Sequence, residues 1–202
     1  MSNLTLLIPA KYEAECLPFF LNELQKYEYK KIVILDQKDF KTVEAVKQFK
    51  DIEILYQKKS GYGNALIEGI NNTTTEFFSI INADGSMNPS ELENMLREIN
   101  KNNKDLVFGS RYMKNSGSED DDFLTKIGNF GFSLIGKIFF RLKISDILYT
   151  YVVGKTELVK NLELNYGDFR LCVELPIKAH KKNIITHLIR VMKEEGLQGK
   201  KK

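Results

Sequence analysis

Strand-like and helix-like segments alternate through the first half of the chain, and this alternation restricts the fold more than any other feature of the sequence. Short apolar runs begin at Leu4, Ile32, Ile52 and Phe77, and an amphipathic helical spacing follows each of them. Parallel strands need crossover connections, which such helices provide. The alternation therefore predicts an α/β fold with a mostly parallel sheet and helices on both of its faces.

The composition predicts one globular domain. A chain of 202 residues is long enough to bury a substantial core, and its hydrophobic share of 43% and charged share of 28% exclude a disordered protein. The net charge of +3 is too small to indicate a nucleic acid partner. We therefore expect a single domain over residues 1–202 that does not bind nucleic acid.

The cysteines and the apolar segments predict a cytoplasmic protein. Cys16 and Cys172 lie far apart without a CxxC pair, which indicates reduced packing residues. The N-terminus enters a strand pattern directly and shows no signal peptide. The most apolar stretch, 130–140, has about half the length of a membrane span and contains Lys137, so it cannot cross a bilayer alone.

Polar residues cluster directly after four of the predicted strands. The clusters are Pro9–Glu13, Asp36, Lys58–Asn64 and Asn82–Ser86. The carboxyl ends of parallel strands meet at one edge of the sheet, and ligands of open α/β sheets bind in the crevice outside that edge. The four clusters are therefore predicted to form one binding site.

Asp84 is the most prominent carboxylate of these clusters. Together with Ser86 it offers the oxygen ligands that a hard divalent cation prefers, and Mg²⁺ or Mn²⁺ commonly completes its coordination with substrate phosphates. A second interpretation is that Asp84 and Gly85 only form the turn before a helix, with Asn88 as the N-cap and Pro89 at the first helical position. The sequence favours the metal site and leaves both interpretations open.

Two glycines, Gly61 and Gly63, interrupt the third cluster. They would let the backbone approach a phosphate or a sugar closely, and Lys58 could neutralise the bound group. The segment is not a P-loop, because GxxxxGK[ST] is absent. It is not a dinucleotide fingerprint either, because it follows the third strand and lacks a third glycine.

Three charged residues in the second half of the chain are candidates for catalysis. Arg111 follows a predicted fifth strand and could clamp an anionic group bidentately, or form a surface salt bridge. Asp146 and Glu174 are carboxylates in apolar surroundings, which is typical of functional acids and also of caps and structural ion pairs.

Taken in order, these segments resemble a family 2 glycosyltransferase of the GT-A (Rossmann-like) fold, close to the dolichol-phosphate mannosyltransferase-like branch. The resemblance covers residues 4–199 and depends on the order and spacing of several short motifs. They are Ile8–Ala10 with Glu13, the strand that ends at Asp36, Gly61–Ala65, Asn82–Ser86, Gly109–Tyr112, Ser145–Asp146 and Glu174.

The resemblance implies transfer of a sugar from a nucleoside-diphosphate sugar to a polyprenyl-phosphate or another glycan- or lipid-linked acceptor, with inversion and with the help of a divalent cation. It implies a nucleotide-binding half over 1–112 and an acceptor-side half over 113–202. The implied nucleotide-sugar ligands are Pro9, Ala10, Glu13, Asp36, Lys58, Gly61, Gly63, Asn82 and Ala83. The implied metal ligands are Asp84 and Ser86, and the catalytic candidates are Arg111, Asp146 and Glu174.

The acceptor decides which of these groups is needed. A polyprenyl phosphate is already ionised and needs no general base, whereas a sugar hydroxyl would need Asp146 or Glu174. Helices after Arg111 often lie against the membrane in the family, and the segment 123–140 fits that description. The expected location is therefore the cytoplasm, with peripheral contact at the cytoplasmic face of the membrane as one form of it.

The sequence departs from the family pattern in four places. Asn82 stands where the first aspartate of the DxD motif is usual, Gln37 stands for a second aspartate, and Tyr12 stands for asparagine before Glu13. Residues 193–200 match the usual ending only weakly. These departures leave open a nucleotide-sugar binding protein of the same fold with impaired catalysis. A sugar-nucleotide pyrophosphorylase or a nicotinamide dehydrogenase is disfavoured, because no glycine-rich loop follows the first strand.

Overall fold

The protein was analysed as a computed structural model, which describes residues 3–111, 145–191 and 196. The strands are β1 Leu4–Ala10, β2 Lys30–Leu35, β3 Glu53–Tyr56, β4 Phe77–Ile80, β5 Leu106–Ser110, β6 Val152–Lys155 and β7 Thr186–Arg190. The helices are α1 Leu17–Leu24, α2 Phe40–Val46, α3 Tyr62–Asn72, α4 Glu91–Asn102, α5 Thr156–Lys160 and α6 Leu171–Lys181.

The strands described form one mixed sheet in the order β3-β2-β1-β4-β6-β5-β7. The pairs β1–β2, β2–β3, β1–β4 and β5–β7 are parallel, whereas β6 runs antiparallel to both β4 and β5. This confirms the predicted α/β class and the mostly parallel sheet. The reversed β6 has one consequence for function: the residues before its first residue, Val152, lie at the edge where β4 ends, because Val152 pairs with Ile80.

Helices cover both faces of the sheet, as predicted. One face packs its apolar residues against α1, α2 and α4, and the other against α3, α5 and α6. Successive residues of a strand point to opposite faces, so Phe77 belongs to the first layer and Phe78 to the second. A core on each side fixes the sheet and leaves the carboxyl ends of its parallel strands as the open edge.

For α1, the helical spacing of apolar residues predicted the buried face of the helix correctly. In α1 the predicted face consists of Leu17, Phe20, Leu21 and Leu24, and all four are buried. The spacing i, i+3, i+4, i+7 places them on one side of the helix. Burial of each side chain contributes about 1.5 to 3 kcal/mol, which is enough to hold a short helix against the sheet.

Some predicted boundaries were wrong. The helix expected to begin after Asn88 begins at Glu91, because the Asn88 side chain accepts a hydrogen bond from the Ser90 amide at 2.8 Å and forms a turn of its own. The run 149–153 also predicts a strand by its aromatic and β-branched residues, but the strand lies at Val152–Lys155. Tyr149, Thr150 and Tyr151 therefore precede the strand and lie at the open edge.

Two predictions fall outside the described residues. The boundary between the two predicted halves, at 112, and the segment 123–140 that was expected to contact a membrane both lie in the range 112–144. They stay predictions. Within the ranges that the structure describes, every helix is too short or too polar to span a bilayer.

Candidate active site

A cavity of about 550 Å³ opens at the carboxyl edge of the sheet, beside the ends of β1 and β4. Residues from three of the four predicted clusters line it, together with Arg111 from the end of β5. The predicted site residues that it brings together are Pro9, Ala10, Glu13, Gly61, Asn82, Ala83, Asp84, Ser86 and Arg111. Residues far apart in sequence therefore meet around one space large enough for a small-molecule ligand.

Asp84 lies in the turn that follows β4 and faces this cavity. Its Oδ1 accepts hydrogen bonds from the Ser86 amide at 3.0 Å and from the Ser86 hydroxyl at 2.7 Å. Its Oδ2 accepts no hydrogen bond from the part of the chain that the structure describes. The turn thus fixes the carboxylate through one oxygen and leaves the other available to a ligand.

Asn82 is held from one side by a tyrosine. The Tyr62 hydroxyl, at the start of α3, lies 3.3 Å from Asn82 Oδ1 and 2.6 Å from the Thr150 hydroxyl. The Tyr62 ring stacks on Phe169, with centroids 4.7 Å apart. Burial raises the pKa of the Tyr62 phenol well above its usual range, so the hydroxyl keeps its proton. All four side chains line the cavity.

Arg111 is held by Asp146 in a bidentate ion pair. Its Nε lies 2.8 Å from Oδ2 and its terminal nitrogen 2.9 Å from Oδ1, and its backbone amide also donates to Oδ2 at 3.2 Å. The Asp146 side chain is fully buried, and the Arg111 side chain is 13% exposed. The guanidinium also lies over the Tyr149 ring, 4.4 Å from its centroid. Arg111 faces the cavity, whereas Asp146 lies behind it.

A comparison with known protein families shows which family this chain belongs to. The family model of Glycosyl transferase family 2 matches residues 5–162, which is most of the chain. The chain belongs to glycosyltransferase family 2. The resemblance inferred from the motifs is thereby confirmed at the level of the family.

Individual relatives place this family 2 chain near the branch expected from its motifs. It is similar to a dolichol-phosphate mannosyltransferase of Pyrococcus furiosus, with 28% identity over 190 residues that cover 89% of this chain and 53% of the relative. It is also similar to an uncharacterized glycosyltransferase of Mycobacterium bovis, with 30% identity over 107 residues, 53% of this chain and 48% of the relative. The chain spans about half the length of these curated relatives.

Solved structures confirm the GT-A fold. Glucosyl-3-phosphoglycerate synthase of Mycobacterium tuberculosis, solved with Mn²⁺, UDP and phosphoglyceric acid, superposes with a TM-score of 0.66 over 97% of this chain and 72% of that protein. A second complex of the same enzyme, with Mn²⁺, UDP-glucose and glycerol 3-phosphate, has the same TM-score over 95% of this chain and 71% of that protein. The sequence identities are 12% and 13%, so this likeness shows the fold alone.

The donor atoms of this family 2 chain fit a divalent cation that arrives with a diphosphate. Mg²⁺ is commonly held by one or two carboxylates, while substrate phosphates and water supply its other ligands. Asp84 offers one such carboxylate and Ser86 a hydroxyl. The described residues contain no group of three or more His, Cys, Asp or Glu side chains that could hold a metal alone. The site therefore suits a cation shared with the ligand.

Three predicted nucleotide-sugar ligands lie beside the cavity rather than on its wall. Asp36 directly follows β2, and its Oδ1 accepts a hydrogen bond from the Lys38 amide at 3.0 Å. Lys58 is exposed, and its backbone amide donates to the Glu68 carboxylate at 3.0 Å. Gly63 packs against the backbone of residues 166–168, where an added Cβ would lie 2.7 Å from the Asp168 oxygen. Their predicted contacts with a ligand stay predictions.

Gly61 serves two purposes in the structure. Its φ of +129° is a conformation that L side chains rarely adopt, and an added Cβ would overlap the Gly167 carbonyl. Gly61 also lines the cavity. The glycines of this segment are therefore required by the contact between α3 and the loop before α6, and one of them also forms the cavity wall.

Glu174, the last catalytic candidate, is engaged away from the cavity. Its carboxylate accepts hydrogen bonds from the amides of Asn165 and Tyr166 and pairs with Lys178 at 2.8 Å. Burial alone would raise the pKa of Glu174, but these hydrogen bonds and the Lys178 charge outweigh it and lower that pKa. The contacts account for the buried acid as an anchor of the loop before α6, and its predicted role as a base stays a prediction.

Sequence reasoning assigned no role to several residues of the cavity wall. Leu148, Tyr149 and Thr150 precede β6 and reach the cavity because that strand is reversed. Phe169 lies just before α6 and Cys172 in its first turn, and burial raises the pKa of the Cys172 thiol to about 11, so it stays protonated. The direction of β6 is not encoded in a local pattern, and no signal in the sequence identified this set.

A further missed residue shapes the loop after β1. Asp39 caps α2, and its carboxylate also accepts the Tyr12 amide at 2.6 Å. Tyr12 has a φ of +60°, a strained conformation for a side chain of this size. Next to it, the Glu13 amide donates to the Thr42 hydroxyl at 3.0 Å. The start of α2 thus holds the Pro9–Glu13 segment against the cavity, and the sequence signal for this was the Asp39 N-cap alone.

Proposed function

We propose that this chain transfers a sugar from a nucleoside-diphosphate sugar to a polyprenyl-phosphate or another glycan- or lipid-linked acceptor, as an inverting, metal-assisted glycosyltransferase. The observation that carries the proposal is the convergence of Asp84, Asn82 and Arg111 on one cavity at the carboxyl edge of a family 2 sheet. The dolichol-phosphate mannosyltransferase relative supports the lipid-phosphate acceptor, and the Mn²⁺ and UDP of the solved neighbour support the donor and the cation.

Different residues of the cavity would bind the cation and the diphosphate. Asp84 and Ser86 would hold the cation, which when bound neutralises the charge that develops on the departing diphosphate. Arg111 offers a second positive charge, and its ion pair with Asp146 fixes the guanidinium before any ligand arrives. A group that is held in place loses little conformational freedom on binding, so Arg111 would stabilise the negative charge on the departing diphosphate at low entropic cost.

The contacts of the carboxylates favour an acceptor that arrives ionised. Asp146 gives both of its oxygens to Arg111, and Glu174 gives both of its oxygens to backbone amides and Lys178. Neither lines the cavity. A phosphate acceptor needs no general base, so these two engaged acids are consistent with it.

The test is a transfer assay with radiolabelled UDP- and GDP-linked hexoses, Mn²⁺ or Mg²⁺, and either a polyprenyl phosphate or phosphoglycerate as acceptor. We expect a labelled product that depends on the cation. Asp84→Ala should lower the rate about 100-fold, whereas Glu93→Ala, which removes an exposed acid from α4, should leave it unchanged. Transfer that survives Asp84→Ala at the wild-type rate would contradict the metal role.

Asn82 supports a second candidate, a nucleotide-sugar binding protein of the same fold with impaired catalysis. Asp84 is the single carboxylate of the Asn82–Asp84 pair, so a cation would be held with one charge fewer than in a DxD motif. This candidate predicts binding of the nucleotide sugar without any product. Product formation with any acceptor in the same assay decides against it.

A further inference from the structure

The Asn82 side chain is oriented by a chain of hydroxyl groups. The Thr150 hydroxyl lies 2.6 Å from the Tyr62 hydroxyl, which in turn donates to Asn82 Oδ1 at 3.3 Å. Tyr62 itself is fixed by stacking on Phe169, and burial keeps its phenol protonated by raising the pKa. An amide oxygen can only accept a hydrogen bond, so the Tyr62 hydroxyl is the donor to Asn82 Oδ1, and the Thr150 hydroxyl lies within hydrogen-bond distance of the same Tyr62 oxygen.

This arrangement turns the other end of the amide into a donor for a ligand. Within residues 3–111, 145–191 and 196, Asn82 Nδ2 donates to no protein group, although the residue lines the cavity. An amide nitrogen carries two N–H donors and no acceptor. It attracts anionic oxygens and disfavours a cation, whereas an aspartate at the same position would do the reverse.

We infer that Asn82 donates a hydrogen bond to a diphosphate oxygen of the donor rather than binding the metal, and that Tyr62 and Thr150 fix this orientation. The inference rests on the proposed function. Arg111 and Asn82 both face the cavity that Asp84 lines, so two side-chain donors lie around the same space as this carboxylate. The protein would thus hold a nucleoside diphosphate partly through its own donors and depend less on the cation than a site with two carboxylates.

The decisive comparison is nucleoside diphosphate affinity with and without a cation. Binding of UDP and GDP is measured by calorimetry in EDTA and in Mn²⁺, for wild type, Asn82→Asp and Asn82→Ala. A hydrogen bond to a charged group is worth about 1.5 to 3 kcal/mol, so both variants should bind at least about tenfold more weakly in EDTA. In Mn²⁺, Asn82→Asp should regain affinity and Asn82→Ala should not. Asn82→Asp should also bind Mn²⁺ alone more tightly, as measured from the free Mn²⁺ signal in electron paramagnetic resonance.

Tyr62→Phe tests the orientation itself. It keeps the ring that stacks on Phe169 and removes the hydroxyl that holds Asn82 Oδ1. We expect about three- to tenfold weaker binding in EDTA, because the amide is then free to turn. The matched control is Tyr29→Phe, since Tyr29 precedes β2 at the opposite edge of the sheet and lies outside the cavity. It should bind as wild type does.

The binding measurements distinguish failure of the Asn82 inference from failure of the proposed function. Wild-type affinity of Asn82→Asp in EDTA would overturn the inference, and so would a wild type that binds nucleoside diphosphates only when Mn²⁺ is present. The second result is what the opposite amide orientation predicts, with Oδ1 facing the cation. Failure of wild type to bind any nucleoside diphosphate in either buffer would refute the proposed function and the inference with it.

Discussion

Removal of either member of the ion pair between Arg111 and Asp146 should be among the most destabilising single substitutions in the described structure. Asp146→Ala should lower the free energy of unfolding by about 3 to 5 kcal/mol, the usual cost of removing one member of a buried pair. The reason is that the Arg111 charge, only 13% exposed, would lose both hydrogen bonds to the carboxylate. Arg111→Ala should cost a similar amount, because the fully buried carboxylate would lose its counter-charge.

The double variant Arg111→Ala/Asp146→Ala tests whether the stability costs of the two single substitutions depend on each other. If each single change is costly because it isolates the other charge, removal of both must cost less than the sum, by at least about 1 kcal/mol. The chain has no tryptophan, so unfolding in urea is followed by far-UV circular dichroism. The control is the exposed pair of Lys47 and Glu44, 58% and 74% exposed, whose removal should change stability by less than about 1 kcal/mol.

Additivity would refute this reasoning. Two single costs that sum to the double cost within about 0.5 kcal/mol would mean that the charges do not stabilise each other. The same measurement bears on the site, since Asp146 would then not be what holds Arg111 in the cavity. Nucleoside diphosphate affinity of Asp146→Ala should fall together with stability, because the guanidinium loses its fixed position.

Three further substitutions test other contacts of the same region. Glu174→Gln should destabilise the protein by about 1 to 3 kcal/mol at pH 7. Hydrogen bonds lower the pKa of Glu174 in the folded state. In urea titrations, the difference in stability between wild type and variant should therefore shrink as the pH falls from about 4.3 through the folded pKa. Tyr149→Phe should stabilise the unliganded protein by about 1 kcal/mol in thermal unfolding, because the buried Tyr149 hydroxyl has no hydrogen-bond partner in the part of the chain described. A loss of stability in this variant would contradict that explanation. Gly63→Ala should cost about 1 to 3 kcal/mol, since its Cβ would overlap the backbone of 166–168, and unchanged stability would show that this loop yields.

The elements that sequence reasoning predicted well are those whose signal is local. The spacing of Leu17, Phe20, Leu21 and Leu24 defines a helix face whatever the rest of the chain does, and that face is buried. The short apolar run at Phe77 similarly defines a strand. Polar clusters could be placed at one edge because parallel strands share their direction. For these features, periodicity and the rule for parallel sheets were sufficient.

The features that escaped prediction depend on contacts between distant residues. Arg111 and Asp146 were both named as candidates, yet nothing in the sequence shows that they pair across a separation of 35 residues. The N-cap of α4 was misplaced because a local turn at Asn88 competes with the helix. Strand direction belongs to the same class, since an apolar run reads alike in both directions.

The reversed strand β6 is what joins these unpredicted features into one site. Because β6 runs against β4, the residues before it lie at the carboxyl edge, and two of them hold side chains that line the cavity. Asp146 fixes Arg111, and Thr150 fixes Tyr62 and through it Asn82. Arg111 and Asn82 are thus oriented from the same short segment, 145–151, although Asp146 itself does not line the cavity. Asp146→Ala should therefore lower diphosphate affinity without removing a side chain that lines the cavity.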